Sequence, residues 1–304
     1  MLRVLLDVDT GIDDALAIAL AVRHPEVQLE AVLTVAGNVG LELTTRNTLR
    51  VLDWLGAQAV PVYSGADRPL SAEVREASHW HGADGLGGAE LPESTRTASG
   101  DAVQYLVETL TAQPGQLTLV CTAPLTNLAR AVQEQAGIVQ AVREVVLMGG
   151  AACPPGNATP VAEFNIYADP DAAAIVFAQP WPITMVGLDV TNRVLLTRAE
   201  RDALPPDGSL EARLVREVTR YLFDVRQVES MALHDPLALM VALRPNLVKR
   251  LWLDVVVETT GVHTRGQTVV DLRPGPPATT FRTRVCTDVD VEAARTLFFE
   301  TLSL

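Results

Sequence analysis

No apolar run in this chain reaches the length needed to cross a bilayer, which argues against a transmembrane helix. The opening stretch MLRVLLDVDTGIDD turns acidic after a few apolar residues and contains no small-residue cleavage site. A secretory signal is therefore not expected, and the expected location is cytoplasmic. Cysteine is scarce. Cys121, Cys153 and Cys286 lie far apart with no CxxC spacing, so the expectation is three reduced thiols rather than a disulfide framework. Positive charge is also in deficit, with 24 Lys and Arg against 37 Asp and Glu and a formal net charge of -13. Nucleic acid is a poor partner for such a chain, because phosphate binding needs a basic face. Clustered acid suits a metal ion, although most acidic residues are expected on a solvated surface. Nor is there a linker long or biased enough to divide the 304 residues, and 1–304 is read as one domain.

What is present is an alternation. Short β-branched runs, Val4 to Asp7, Leu29 to Val35, Val60 to Tyr63, Leu117 to Cys121, Glu144 to Met148 and Ile183 to Val186, read as strands. Between them lie helical patterns at Asp13 to Arg23, Leu43 to Leu55, Asp101 to Ala112, Leu125 to Gln133 and Pro170 to Phe177. Leu210 to Ala232 reads as one long helical stretch, followed by a helix from Pro236. Strands are expected again at Leu253 to Glu258, Thr268 to Leu272 and Phe281 to Val285, before a last helix from Val291. This order predicts an α/β fold: a mostly parallel, Rossmann-like central sheet with helices on both faces. Two soft stretches, Ser64 to Ser99 and Ala151 to Asn165, are rich in Gly, Pro and polar residues and read as functional loops.

The segment LLDVDTGIDDALAIALA carries the strongest chemical signal. Asp7 and Asp9 fall at the end of the first strand, where alternation points both side chains the same way. Gly11 permits a tight turn, and Asp13 and Asp14 open the helix. Four carboxylates so close repel one another unless a cation or hydrogen bonds compensate. Their oxygens suit a hard cation, calcium or magnesium, outside the carboxyl end of a parallel strand. Acid at a helix N-terminus accounts for Asp13 and Asp14 through the macrodipole but leaves Asp7 and Asp9 unexplained. A magnesium-dependent phosphatase with an Asp nucleophile is a rival, through its DxDxT motif. The position that motif gives to Thr is Gly11 here, and Thr10 is one residue early.

DVDTGIDDALA resembles the N-terminal signature, DxDxGxDD, of the inosine-uridine-preferring nucleoside hydrolases. Four further segments resemble that family in the expected order. They are TVAGN ending at Asn38, HGADGLGG from His81, CTAPLTNLA from Cys121, and VLMGG with GNATPVAEFNIYADPDAA from Val146. LHDPLAL, from Leu233, completes the set. The resemblance implies the nucleoside hydrolase fold and calcium-dependent hydrolysis of a ribonucleoside to ribose and free base. It implies calcium held by Asp9, Asp14, Asp235 and the Thr122 carbonyl, with Asp9 as general base. Asp13 and Asn165 would then orient the ribose hydroxyls, Asn157 and Glu163 would hold the 5′ end, and Met148 would pack beneath the sugar. Asn38 would face the crevice, His81 would either meet the base or remain a surface histidine, and His234 would assist the leaving base. Asp169 and Asp171 read as caps of the helix after Pro170. Ala123 replaces the family's usual glycine, which would carry strain if the position needs positive φ.

The family's base preference depends on the His81 loop and on the stretch before LHDP, here RYLFDVRQVESMA within 219–232. Tyr221, Phe223 and Gln227 are candidate contacts, and a structural helix face is the alternative. The expected partner is a small-molecule nucleoside, and the resemblance implies a homodimer or homotetramer. A non-catalytic nucleoside or pentose sensor is the rival from another class, since a pocket alone does not guarantee turnover.

Overall fold

The computed structural model describes residues 1–273 and 283–304. Its strands are β1 (Leu2–Val8), β2 (Val27–Thr34), β3 (Val62–Ser64), β4 (Thr118–Cys121), β5 (Glu144–Met148) and β6 (Ile183–Val186). Then come β7 (Leu195–Thr197), β8 (Ser230–Ala232), β9 (Val248–Leu253), β10 (Val255–Val257), β11 (Thr268–Val270) and β12 (Thr283–Val289). The helices are α1 (Ile12–Arg23), α2 (Leu41–Trp54), α3 (Ser78–His81), α4 (Ala102–Ala112), α5 (Thr126–Glu134), α6 (Ile138–Ala141) and α7 (Phe164–Ala168). They continue with α8 (Pro170–Phe177), α9 (Leu188–Thr191), α10 (Arg198–Ala203), α11 (Leu210–Arg220), α12 (His234–Leu243) and α13 (Val291–Leu302).

Eight strands form the central sheet in the order β3-β2-β1-β4-β5-β6-β12-β9. Every pairing is parallel except β12 with β9. The continuous apolar runs of β4 and β6, entirely buried, follow from helices covering both faces. One apolar cluster packs α1, α2, α11, α12 and α13 on one face, and a second packs α4, α5, α6 and α8 on the other. The chain runs outward from β1 to β3 and then returns to place β4 on the other side of β1. That reversal is the topological switch point at which open α/β sheets bind ligands, beyond the strand carboxyl ends.

The predicted α/β architecture is present, with four local corrections. The expected helix from Leu210 to Ala232 stops at Arg220, passes through a π-helical turn at Tyr221–Val225, and ends in β8. Helical periodicity continues through the buried Leu222 and Phe223, but pairing of β8 with β7 claims the last residues for a strand. β9 was not anticipated: it begins five residues before the expected strand at Leu253, and its mixed exposure hides the alternation of an ordinary strand. The third strand is Val62–Ser64 rather than Val60 to Tyr63. The last strand runs on to Val289, while the Phe281 end of the expectation lies outside the described residues.

Candidate active site

The switch point brings the ends of β1, β2 and β4 together. Thr122 N donates to the Asp7 carbonyl at 2.8 Å, and Val35 N donates to the Val8 carbonyl at 3.0 Å. From this base the chain turns into α1, whose first turn carries Asp13 and Asp14. Asp235 opens α12, which packs beside α1, and so arrives from a remote stretch of sequence. One oxygen from each of Asp13, Asp14 and Asp235 lies within 4.8 Å of the others. Asp14 and Asp235 are buried, Asp13 reaches the cavity wall, and among the described residues none of the three is ion-paired with Lys or Arg.

Burial, reinforced by mutual repulsion, dominates the electrostatics. It lifts Asp13 to about 7 and Asp14 to about 6, and holds Asp9 and Asp235 well above the ordinary carboxylate range. A divalent cation removes that penalty, and an all-oxygen donor set suits a hard ion. The residues present therefore fit a metal.

Asp9 is fully buried. Its carboxylate accepts from Asn38 N at 2.7 Å and from Asn38 Nδ2 at 3.1 Å, and the same Nδ2 donates to Asp14 Oδ2 at 3.2 Å. Asn38 lines the cavity, yet its amide is spent on the acids rather than on the crevice. Asp14 further accepts from Gly11 N at 2.9 Å and from the Thr122 hydroxyl at 2.8 Å. Gly37 leaves room for this arrangement, since a Cβ there would meet Asp9 Oδ2 at 2.0 Å. Asp7 is not one of the trio. Asn127 Nδ2 donates to its Oδ1 at 2.8 Å, its Oδ2 is unpartnered, and burial lifts it to about 7.

A cavity of about 450 Å³ opens over the cluster. Asp13, Asn38, His81, Thr122, Met148, Asn157, Glu163, Asn165, His234 and Asp235 all line it. Glu163 is the N-cap of α7, its carboxylate accepting from Gly150 N, Asn165 N and Ile166 N at 3.0, 2.9 and 3.2 Å. Asn165 Nδ2 donates to the Thr122 carbonyl at 3.0 Å and to the Met148 carbonyl at 3.1 Å. Asn157 is exposed and accepts from Phe164 N at 2.9 Å. Asp169 caps α8 as expected, while Asp171 pairs with Arg265.

His81 is buried rather than a surface residue, and its Nδ1 accepts from Ile12 N at 3.0 Å. Burial pushes it down to about 3 and pushes His234 down to about 4, so both rings are neutral at pH 7. His234 Nδ1 meets the Thr191 hydroxyl at 2.8 Å. Ala123 is buried and is not at positive φ, so the exchange for glycine carries no backbone strain.

The stretch before LHDP does not supply the anticipated contacts. Phe223 is buried in the core beneath Arg201 and does not line the cavity. Tyr221 packs at Gly87, and Gln227 is an exposed residue at φ 56. Arg226 is the residue that reaches the pocket wall, stacking on Trp80 at 4.9 Å and donating to the His79 carbonyl. His79, Trp80, Phe164 and Tyr167 also line the cavity and were not singled out from sequence, although each adjoins a flagged His81, Glu163 or Asn165.

A family model described as inosine-uridine preferring nucleoside hydrolase matches residues 4–296. The chain belongs to that family. It is 40% identical to the inosine-uridine preferring nucleoside hydrolase of Leishmania major, over 95% of this chain and 94% of that one. The pyrimidine-specific ribonucleoside hydrolase of Salmonella paratyphi B is 38% identical, over 89% and 88% of the two chains. A purine-preferring ribonucleoside hydrolase from Gardnerella vaginalis shares the fold at a TM-score of 0.91 and 35% identity, covering 99% of this chain and 98% of that one. As a nucleoside hydrolase the chain is an N-ribosyl hydrolase acting on small nucleosides. Relatives named for opposite base preferences resemble it to a similar degree. No helix among the described residues is long and apolar enough to cross a membrane.

Proposed function

We propose that this nucleoside hydrolase depends on calcium and uses Asp9 as the general base toward the attacking water. The supporting observation is the convergence of Asp13, Asp14 and Asp235, with Asp9 beside Asp14 through Asn38 and no Lys or Arg partner for the trio among the described residues, beneath a cavity of about 450 Å³. Asp9, Asp14, Asp235 and the Thr122 carbonyl would hold the ion. Bound there, it supplies Lewis acidity toward the ribose diol and the attacking water, and lowers the water's pKa.

The chain's own groups carry the remaining steps. Asp9, held by Asn38 through both oxygens, accepts the proton of the attacking water. Asp13 and Asn165 orient the ribose hydroxyls, Asn157 and Glu163 hold the 5′ end, and Met148 packs beneath the sugar. Positive charge developing on the sugar at the oxocarbenium-like transition state is stabilised by the surrounding carboxylates. His234 protonates or hydrogen-bonds the departing base. In the tautomer whose Nδ1 accepts from the Thr191 hydroxyl, Nε2 carries the ring proton.

Release of reducing sugar from uridine, cytidine, inosine and adenosine, with and without calcium, tests this reading. Calcium-stimulated release is expected. Full activity after exhaustive chelation overturns the calcium assignment, and binding without release on every substrate converts the protein to a sensor. A homodimer or homotetramer belongs to the same proposal, supported by exposed Leu251 and Trp252 on the edge strand β9 and by exposed Val256 and Val269 on the separate β10–β11 pair. Mass measurement in solution decides it.

A further inference from the structure

Asn47 lies in α2, is completely buried, and takes no part in the mechanism above. Its Nδ2 carries two hydrogens, and the structure gives each a carbonyl. One is Thr10 O at 3.2 Å, in the turn between Asp9 and Asp13; the other is Asp84 O at 2.8 Å, in the His81 to Gly88 loop. Its Oδ1 is buried and has no hydrogen-bond partner among the described residues. A buried acceptor left unpaired is costly, and natural structures keep few of them. What sets Asn47 apart is that its two donors reach the backbone of two different loops.

The join is specific. Gly85 stands at φ 84, and a Cβ there would meet Val39 Cγ2 at 2.8 Å and Asn47 Nδ2 at 2.9 Å. Backbone therefore lies directly against the amide. The Asp84 carboxylate folds the rest of the loop, accepting from Leu86 N at 3.2 Å and Gly88 N at 3.0 Å. At the loop's start, His81 Nδ1 accepts from Ile12 N. Both attachments land on Thr10 to Ile12. The Thr10 end is independently fixed, because its hydroxyl meets that of Thr48 at 2.6 Å.

We infer that Asn47 is a positioning residue that sets the His81 to Gly88 loop in register with the acid-bearing turn, and so determines productive binding of the nucleobase. This rests on the reading of the cavity as a nucleoside site. Loss of the Asn47 amide frees the loop while Thr48 and Asn38 still hold the acid turn. Positioning loops by fixed contacts is a means of holding substrate in reactive geometry.

The test compares Asn47→Ala and Gly85→Ala with the parent enzyme in calcium, on inosine, uridine and 4-nitrophenyl riboside. Gly85→Ala presses on the same clasp from the loop side, at a buried position with positive φ, and whichever variant folds reports on the clasp. On the better nucleoside, kcat/KM is expected to fall 10- to 100-fold, carried mainly by KM. The nitrophenyl riboside, which presents no nucleobase, is expected to lose less than threefold, and the calcium requirement is expected to shift less than threefold. Amide exchange at residues 82–88 is expected to accelerate, which is read without turnover. Equal losses on all three substrates, or unchanged exchange in the loop, overturn the inference. Parent enzyme that cleaves none of the substrates overturns the nucleoside reading instead, and loop exchange then still scores the clasp.

Discussion

The two walls of the cavity are built on different terms. The acid side is assembled from strand ends and helix starts, and the carboxylates of Asp9 and Asp14 on it are buried and hydrogen-bonded. Asn38 bridges Asp9 and Asp14, and Thr122, just past β4, also holds Asp14. The base side is a long irregular segment pinned at a few points: Asn47 on Asp84, Ile12 on His81, and Arg226 on His79 and Trp80. A sheet edge tolerates little change, because each group there is shared between elements. A loop pinned at separate points changes one wall without disturbing the other. On the proposed reading, the hydrolytic chemistry and the base preference lie on separate pieces of backbone.

The largest expected effect breaks the acid side. Asp9→Ala abolishes hydrolysis on every nucleoside, and chelation does so reversibly; sugar release is the readout. Residual turnover that calcium still stimulates would show that another group takes the proton. Gly37→Ala comes next, since its Cβ falls 2.0 Å from Asp9 Oδ2. A fall in kcat of at least 100-fold is expected, because displaced catalytic groups lose rate steeply even when all are present.

The comparison sharpens at His234, which lines the cavity and is proposed to assist the leaving base. His234→Ala lowers kcat on natural nucleosides far more than on substrates with activated leaving groups, and parallel losses would remove its role. The smallest catalytic effect belongs to the base side. Arg226→Ala is expected to shift the inosine-to-uridine ratio of kcat/KM less than tenfold while leaving the calcium requirement unchanged, since Arg226 touches only His79 and Trp80 at the cavity wall.

Stability against pH reports mainly on the acid wall without any turnover, opposed in part by the buried His81 and His234, whose lowered values favour folding as pH rises toward 6.5. In the chelated protein, burial holds Asp7 and Asp13 at about 7 and Asp14 at about 6, against 3.8 for an unperturbed Asp. The folded state then keeps protons that the unfolded chain has released, so folding stability falls as pH rises from about 4 through about 7. Below that window both states are protonated and the penalty vanishes. Calcium should flatten this decline by favouring the ionised acids, and thermal melts in chelator and in calcium measure it.

Much of the acid wall was legible because its signals are local. Strand alternation, a glycine turn and acid in a first helical turn all sit within DVDTGIDD, and the helices on both faces follow from continuous apolar runs. The LHDP motif, far along the chain, pointed to Asp235 only through family resemblance. The π-helical turn at Tyr221–Val225 was not legible, since Leu222 and Phe223 keep a helical period while the backbone widens. Nor was β9, whose exposed Leu251 and Trp252 break the alternation of a covered strand. Asn38 was read as facing the crevice, because an amide's partners depend on which carboxylates fold beside it.

Sequence alone determined which residue types stand at each strand end and helix start, because those preferences act over a few neighbouring residues. Tertiary structure alone decided that Asp13, Asp14 and Asp235 converge, that Asp7 turns to Asn127, and that Asn47 joins two separate loops. Those outcomes depend on packing between segments many residues apart, where burial and competition for hydrogen-bond partners select one arrangement.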